Sequence, residues 1–204
     1  MKNEYSVWMP KLTEDTARAR RDEIVRATIE VMRNKGVASA SIADISTASG
    51  LSPGSIYSHF PGKSDIVASV ARAAIGERSQ RLDERLARAG SSEVWHPSAI
   101  VGGVITAFDD DEIPFSLVLQ MWGEAVVDPE IRAVFDESIE TVRSFFTPHA
   151  RVWLERDGTR AKPAEVRAVV SGMLALAQSY IVRSALLGRV SWDTHLAHVR
   201  AAAS

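Results

Sequence analysis

The chain has 204 residues, of which 46% are apolar and 25% charged, the balance of a globular protein rather than a disordered one. A formal charge of −2 argues against a surface that grips polyanions everywhere. The absence of cysteine excludes disulfides, thiolate chemistry and cysteine-built zinc sites, and no run of about 18 uninterrupted apolar residues suggests a membrane span.

Residues 1–17 read as a flexible arm. Lys2, Glu4, Lys11 and Glu14 interrupt the apolar stretch that a signal peptide would need, so a cytoplasmic protein is expected. Residues 1–75 carry ten Lys/Arg against eight Asp/Glu, which leaves a mildly basic head on a body of charge −4. Such a molecule suits contact with DNA at one end.

The first helix shows Ile24, Ala27, Thr28, Val31 and Met32 on one stripe and ends at Gly36, with Val37 placed to fold back on that stripe. Three short segments follow. Ser41 to Asp44 is a capping box with Asp in the N3 place, and Ser52-Pro53 supplies a cap followed by proline at N1. Gly62 to Asp65 puts an acid in the first turn of a third helix. Ser49-Gly50-Leu51 joins the first two through a glycine suited to positive φ, which is helix-turn-helix geometry.

An amphipathic helix is expected to run from Asp65 toward Ala89, with the head–body boundary inside it near residue 75 and a break at Gly90-Ser91-Ser92. The body, 76–204, shows further helices near 97–109, 113–127, 129–156, 163–188 and 191–203, with Pro148 expected to kink or split the third of these five. No stretch alternates with period two for long enough to make a sheet. The fold class is therefore all-α: a three-helix DNA-binding head joined by a continuous helix to a larger helical bundle.

The stretches Ile24 to Ala27, Gly36 to Ile45 and Ser49 to Lys63, with Ile56-Tyr57-Ser58-His59-Phe60-Pro61-Gly62-Lys63 at their end, resemble the tetracycline-repressor (TetR) family of bacterial regulators. The resemblance covers about the first third of the chain. It implies a homodimer that binds double-stranded DNA at an inverted repeat, and a body that dimerises and binds an effector.

A recognition helix must be short and carry small residues where it meets the groove. Ser52, Gly54, Ser55 and Ser58 satisfy this, while Ile56 and Phe60 can anchor the opposite face to Ile45 and Leu51. Tyr57 is placed to give its hydroxyl to a phosphate, although a core role is the competing reading. His59 can reach a phosphate or a base, or remain solvated. Lys63 at a helix N-terminus and Ser41 at another are phosphate candidates. Base identity falls to Ser52, Gly54, Ser55 and His59. Arg20 and Arg21 read as a solvated basic face.

The helix 163–188 is apolar over much of its circumference, and Val169, Val170, Leu174, Ala177 and Ile181 are its expected dimer contacts. Phe115, Leu119, Met121, Trp122, Phe145 and Met173, with Gln120 and Gln178 as polar anchors, are the expected pocket for a lipophilic or aromatic effector. An enzyme is the rival class, but no phosphate loop, G-x-S-x-G elbow or H-E-x-x-H occurs, and Gly102-Gly103 lacks a nucleotide loop's lysine. His195 and His198, three apart, have no acidic partner nearby in sequence and read as surface residues, and Asp109 to Glu112 reads as solvated loop charge. No cofactor or metal is expected. The remaining alternative is an effector-independent or partner-controlled architectural DNA-binding protein.

Overall fold

A computed structural model describes residues 14–73, 84, 94–107 and 113–202, and all regular structure among them is helical. The arm before residue 14, the expected helix beyond residue 73 with its head–body boundary and terminal break, Phe108 and the acidic run 109–112 lie outside the described residues.

In the head, α1 (Glu14–Lys35) packs on α2 (Ile42–Ser49) and α3 (Pro53–His59), and α4 begins at residue 63. The α1 stripe is buried at Ile24, Ala27, Thr28, Val31 and Met32, where the Thr28 hydroxyl is satisfied by the Ile24 carbonyl. Gly36 takes φ 86°, and Val37 behind it is fully buried against the stripe, as its apolar side chain beyond a left-handed cap requires. Ile45, Ile56, Phe60, Ile66, Val67 and Val70 close the head's core.

The body consists of α5 (Pro97–Ala107), α6 (Phe115–Val127), α7 (Pro129–Leu154), α8 (Pro163–Leu187) and α9 (Trp192–Ala202). Helices α6, α7 and α8 pack on one another; α5 lies against α7 and α8, and α9 against α5. Asp128 caps α7 by accepting from the N–H groups of Glu130 and Ile131. Pro148 does not split α7, which runs through it. Proline removes the N–H that would serve the Ser144 carbonyl, and both residues are exposed, so water can take the freed acceptor.

Helix α8 is long and apolar enough, by length and composition, to cross a membrane, although polar and charged residues such as Gln178 and Arg183 interrupt its apolar run. The tertiary structure gives it another role. Val166, Val170, Met173, Leu174, Ala177, Tyr180 and Ile181 are buried within the chain, the behaviour of a central core helix. This also corrects the expected dimer contacts. Val170, Leu174, Ala177 and Ile181 are spent on the chain's own bundle, and Val169 is half-buried against the same core.

Helix α9 is held by an aromatic corner. Trp192 Nε1 donates to the Ser98 carbonyl at 3.1 Å, and its indole lies where a Cβ on Gly102 would come within 2.4 Å of Nε1. Gly102 is thus the notch that admits Trp192. Tyr180 stands at 5.5 Å from Trp192 and 5.2 Å from His195, centroid to centroid. His195 is buried, not a surface residue as expected, with Nε2 3.0 Å from the Ser179 hydroxyl. Ser179 donates its own proton to the Leu176 carbonyl, so His195 Nε2–H is the donor between them and Nδ1 is left a buried acceptor with no hydrogen-bond partner.

Candidate DNA-reading site

The recognition helix is built by local rules. Ser41 caps α2: its hydroxyl accepts from Asp44 N–H at 3.2 Å, while the Asp44 carboxylate accepts from the Ser41 N–H and hydroxyl. Lys35 reaches the same carboxylate at 2.5 Å. That ammonium first, and the Ser41 hydroxyl second, hold the Asp44 carboxyl below its ordinary pKa. Gly50 ends α2 at φ 69°, a left-handed cap that a side chain would strain. The turn is then locked by hydroxyls: Ser46 donates to the Leu51 carbonyl at 2.6 Å, and Ser49 accepts from Leu51 N–H at 3.3 Å. Ser52 caps α3 by accepting from Ser55 N–H, and Pro53 fills the first helical position.

This fixes which way α3 points. Ile56 is fully buried and Phe60 nearly so, with Ile45 behind them and the Arg21 guanidinium 5.9 Å from the Phe60 ring centroid. On the opposite side Ser52, Pro53, Gly54, Tyr57 and Ser58 are exposed, with Ser55 and His59 half-buried. Tyr57 is 51% exposed, so it is not a core aromatic. Nothing stands within 4 Å of the place a Cβ would occupy on Gly54, which leaves an open, small surface for close approach. Ser58 turns its hydroxyl back to the Ser55 carbonyl at 2.6 Å.

Lys63 opens α4, and its ammonium donates to the Ala38 carbonyl at 2.9 Å while remaining exposed enough to carry a second contact. Ser41, Tyr57 and Lys63 thus lie at the start of α2, on the exposed side of α3 and at the start of α4. Arg20 is paired with Glu23 at 2.6 Å, in keeping with a solvated role.

The residues expected to line a pocket fall into separate surroundings. Phe115, Met121 and Met173 are buried in the bundle core; Leu119, Trp122, Phe145 and Gln178 are half-buried. Trp122 also lines a shallow apolar cleft of about 190 Å³ with Ala125, Val126, Arg132 and Phe135. Gln120 departs from its expected role as a ligand anchor: its Oε1 accepts from Val37 N–H in the head at 3.0 Å. Sequence reasoning missed this link because the two residues are 83 positions apart. No group of three or more metal-ligating side chains converges among the described residues.

Residues 24–70 match the family model of bacterial regulatory proteins of the tetR family. The HTH-type transcriptional regulator BetI of Ectopseudomonas mendocina is 28% identical over 188 residues, covering 87% of this chain and 87% of that protein. Among solved structures, the regulator FadR of Bacillus subtilis in complex with stearoyl-CoA superposes with a TM-score of 0.67 at 16% identity, covering 84% of this chain and 90% of that one. A Saccharomonospora viridis transcriptional regulator in complex with choline superposes at 0.66 with 19% identity, over 90% and 94%. The exposed helix-turn-helix and these likenesses agree: residues 24–70 form a helix-turn-helix head of the tetR type, on a chain that is similar over most of its length to DNA-binding transcriptional regulators.

Proposed function

We propose that the protein is a homodimeric, non-catalytic repressor that reads an inverted repeat through two copies of α3 and is released when a lipophilic or aromatic effector enters its body. The observation that carries the first half is the polarity of α3: its apolar residues are buried in the head, and its small residues and the Tyr57 hydroxyl are presented outward. Ser52, Gly54, Ser55 and His59 read bases, and Ser41, Tyr57 and Lys63 hold phosphates. In domain terms, residues 18–75 form the reading head, extended back to Glu14 because α1 begins four residues earlier than the expected arm allows, and 76–204 the regulatory and dimerising body.

An inverted repeat needs two heads related by a twofold axis. Beyond the exposed Glu165 and Arg167 in its first turns, α8 presents an uncharged exposed stripe of Ala168, Gly172, Ala175, Ser179, Val182 and Leu186, which supports face-to-face packing with a second copy. For the effector, the support is the apolar meeting of α6, α7 and α8, where Phe115, Met121 and Met173 are buried and Trp122 and Phe145 pack against the core, with the half-buried Leu119 and Gln178 on the same helices. That structural neighbours occur in complex with stearoyl-CoA and with choline supports a body that accepts small molecules of differing polarity. No observation favours the effector-independent architectural reading.

The test is selection of the full chain against random duplex DNA at about 150 mM salt. Enrichment of an inverted repeat is expected, followed by release of that duplex by a compound from an apolar and aromatic library. Recovery of DNA without any sequence in common would overturn the reading.

A further inference from the structure

The turn after α1 is where the body takes hold of the head. Val37 N–H donates to Gln120 Oε1 across the part-buried junction with α6. A backbone N–H can only donate, so its position fixes the carboxamide with oxygen toward the head. Gly36 belongs to the same contact, because a Cβ there would lie 3.1 Å from the same oxygen. The next residue, Ala38, gives its carbonyl to Lys63 at the start of α4, and Ser41 a little further on caps α2. The turn 36–41 is thus clasped by the body through Gln120 and by the phosphate-contacting region through Lys63. Another described tie between head and body is the Arg72–Glu137 ion pair at 3.0 Å, more than half exposed on both sides and therefore screened by salt. The Gln120 bond is uncharged on both sides and persists at the salt concentrations where DNA is read.

We infer that Gln120 is a positioning residue that sets the angle of the recognition helix against the body, and with it the half-site spacing the dimer accepts. A pivot of about 10° at Val37 displaces the far end of α2, about 12 Å away along its axis, by about 2 Å in each protomer. Shifts of that size separate neighbouring half-site spacings, since one base pair adds about 3.4 Å along the duplex. Gln120 lies on α6, the helix shared with the apolar body core, so a change in α6 packing is passed to the turn without any contact to DNA.

This inference rests on the inverted-repeat reading, and its test separates the two. Full-length wild type and the variants Gln120→Leu, Gln120→Ser and Gln120→Glu are titrated with duplexes whose half-sites are moved apart one base pair at a time. Hydrogen exchange of the Val37 amide is followed by NMR. Leu removes the acceptor while keeping bulk, Ser lets water reach the N–H, and Glu retains an accepting oxygen. Loss of one hydrogen bond should speed Val37 exchange by about tenfold in the Leu and Ser variants and reduce their preference for the best spacing to a comparable extent. The Glu variant should keep the wild-type preference. A selective wild type with an equally selective Gln120→Leu or Gln120→Ser overturns the inference alone, as does unchanged Val37 exchange. A wild type indifferent to spacing overturns the inverted-repeat reading and the inference with it.

Discussion

Replacing Lys63 with Met removes one cation beside the recognition helix while keeping the side chain's length. Each phosphate neutralised by a lysine contributes about −0.9 to the slope of log affinity against log salt. A dimer presents two copies of Lys63, so the slope should become shallower by about 1.8. Between about 50 and 200 mM salt, the variant should therefore lose about 12-fold less affinity than wild type. The ammonium also serves the Ala38 carbonyl, so Lys63→Arg, which keeps the charge, is the control and should retain the slope. Tyr57→Phe removes a neutral hydroxyl from an exposed ring. It should weaken binding by about 2 kcal/mol per dimer, at every sequence alike, with the slope untouched. The assay is fluorescence anisotropy of a labelled duplex over a salt series, with thermal melts alongside. A wild-type slope in Lys63→Met, or a lowered Tm in Tyr57→Phe, would refute this placement of the phosphate contacts.

Gly102→Ala puts a methyl group into the Trp192 ring and should cost about 1–3 kcal/mol, with a red shift in tryptophan emission as the indole is displaced; unchanged emission would show that the notch is dispensable. Burial first, then the charges of Arg183 and His198, hold the His195 pKa below the ordinary imidazole value. The unfolded chain therefore takes up a proton near pH 6.5 that the native state resists, so stability is full above that pH and falls as pH drops through it. His195→Gln should flatten this part of a melting profile between pH 8 and 5, and an equally steep variant would count against it. Ala175→Arg, on the uncovered face of α8, should yield monomers in sedimentation and weaken duplex binding; an intact dimer would place the interface elsewhere.

The features legible from residue order alone are those whose partners lie within a few positions. The Ser41–Asp44 capping box, the left-handed Gly36 and Gly50, the Ser52-Pro53 start of α3 and the burial of Ile56 and Phe60 follow from spacing, because a cap or a helical stripe is complete within one or two turns. The same locality put Ser41 at the start of α2, Tyr57 on the exposed side of α3 and Lys63 at the start of α4. Tertiary structure decided what local pattern leaves degenerate. Helix α8 is apolar over so much of its surface that pattern alone does not say which side turns inward, and α5, α6 and α7 take the side that holds Val170, Leu174, Ala177 and Ile181. His195 looks solvated until Tyr180 and Trp192 close over it, and Gly102 has no evident purpose until an indole from α9 fills its place. Gln120 is one polar residue on an amphipathic helix until the fold sets Val37 against it. Burial and long-range hydrogen bonds depend on which surfaces meet, and that is settled only when whole elements pack together.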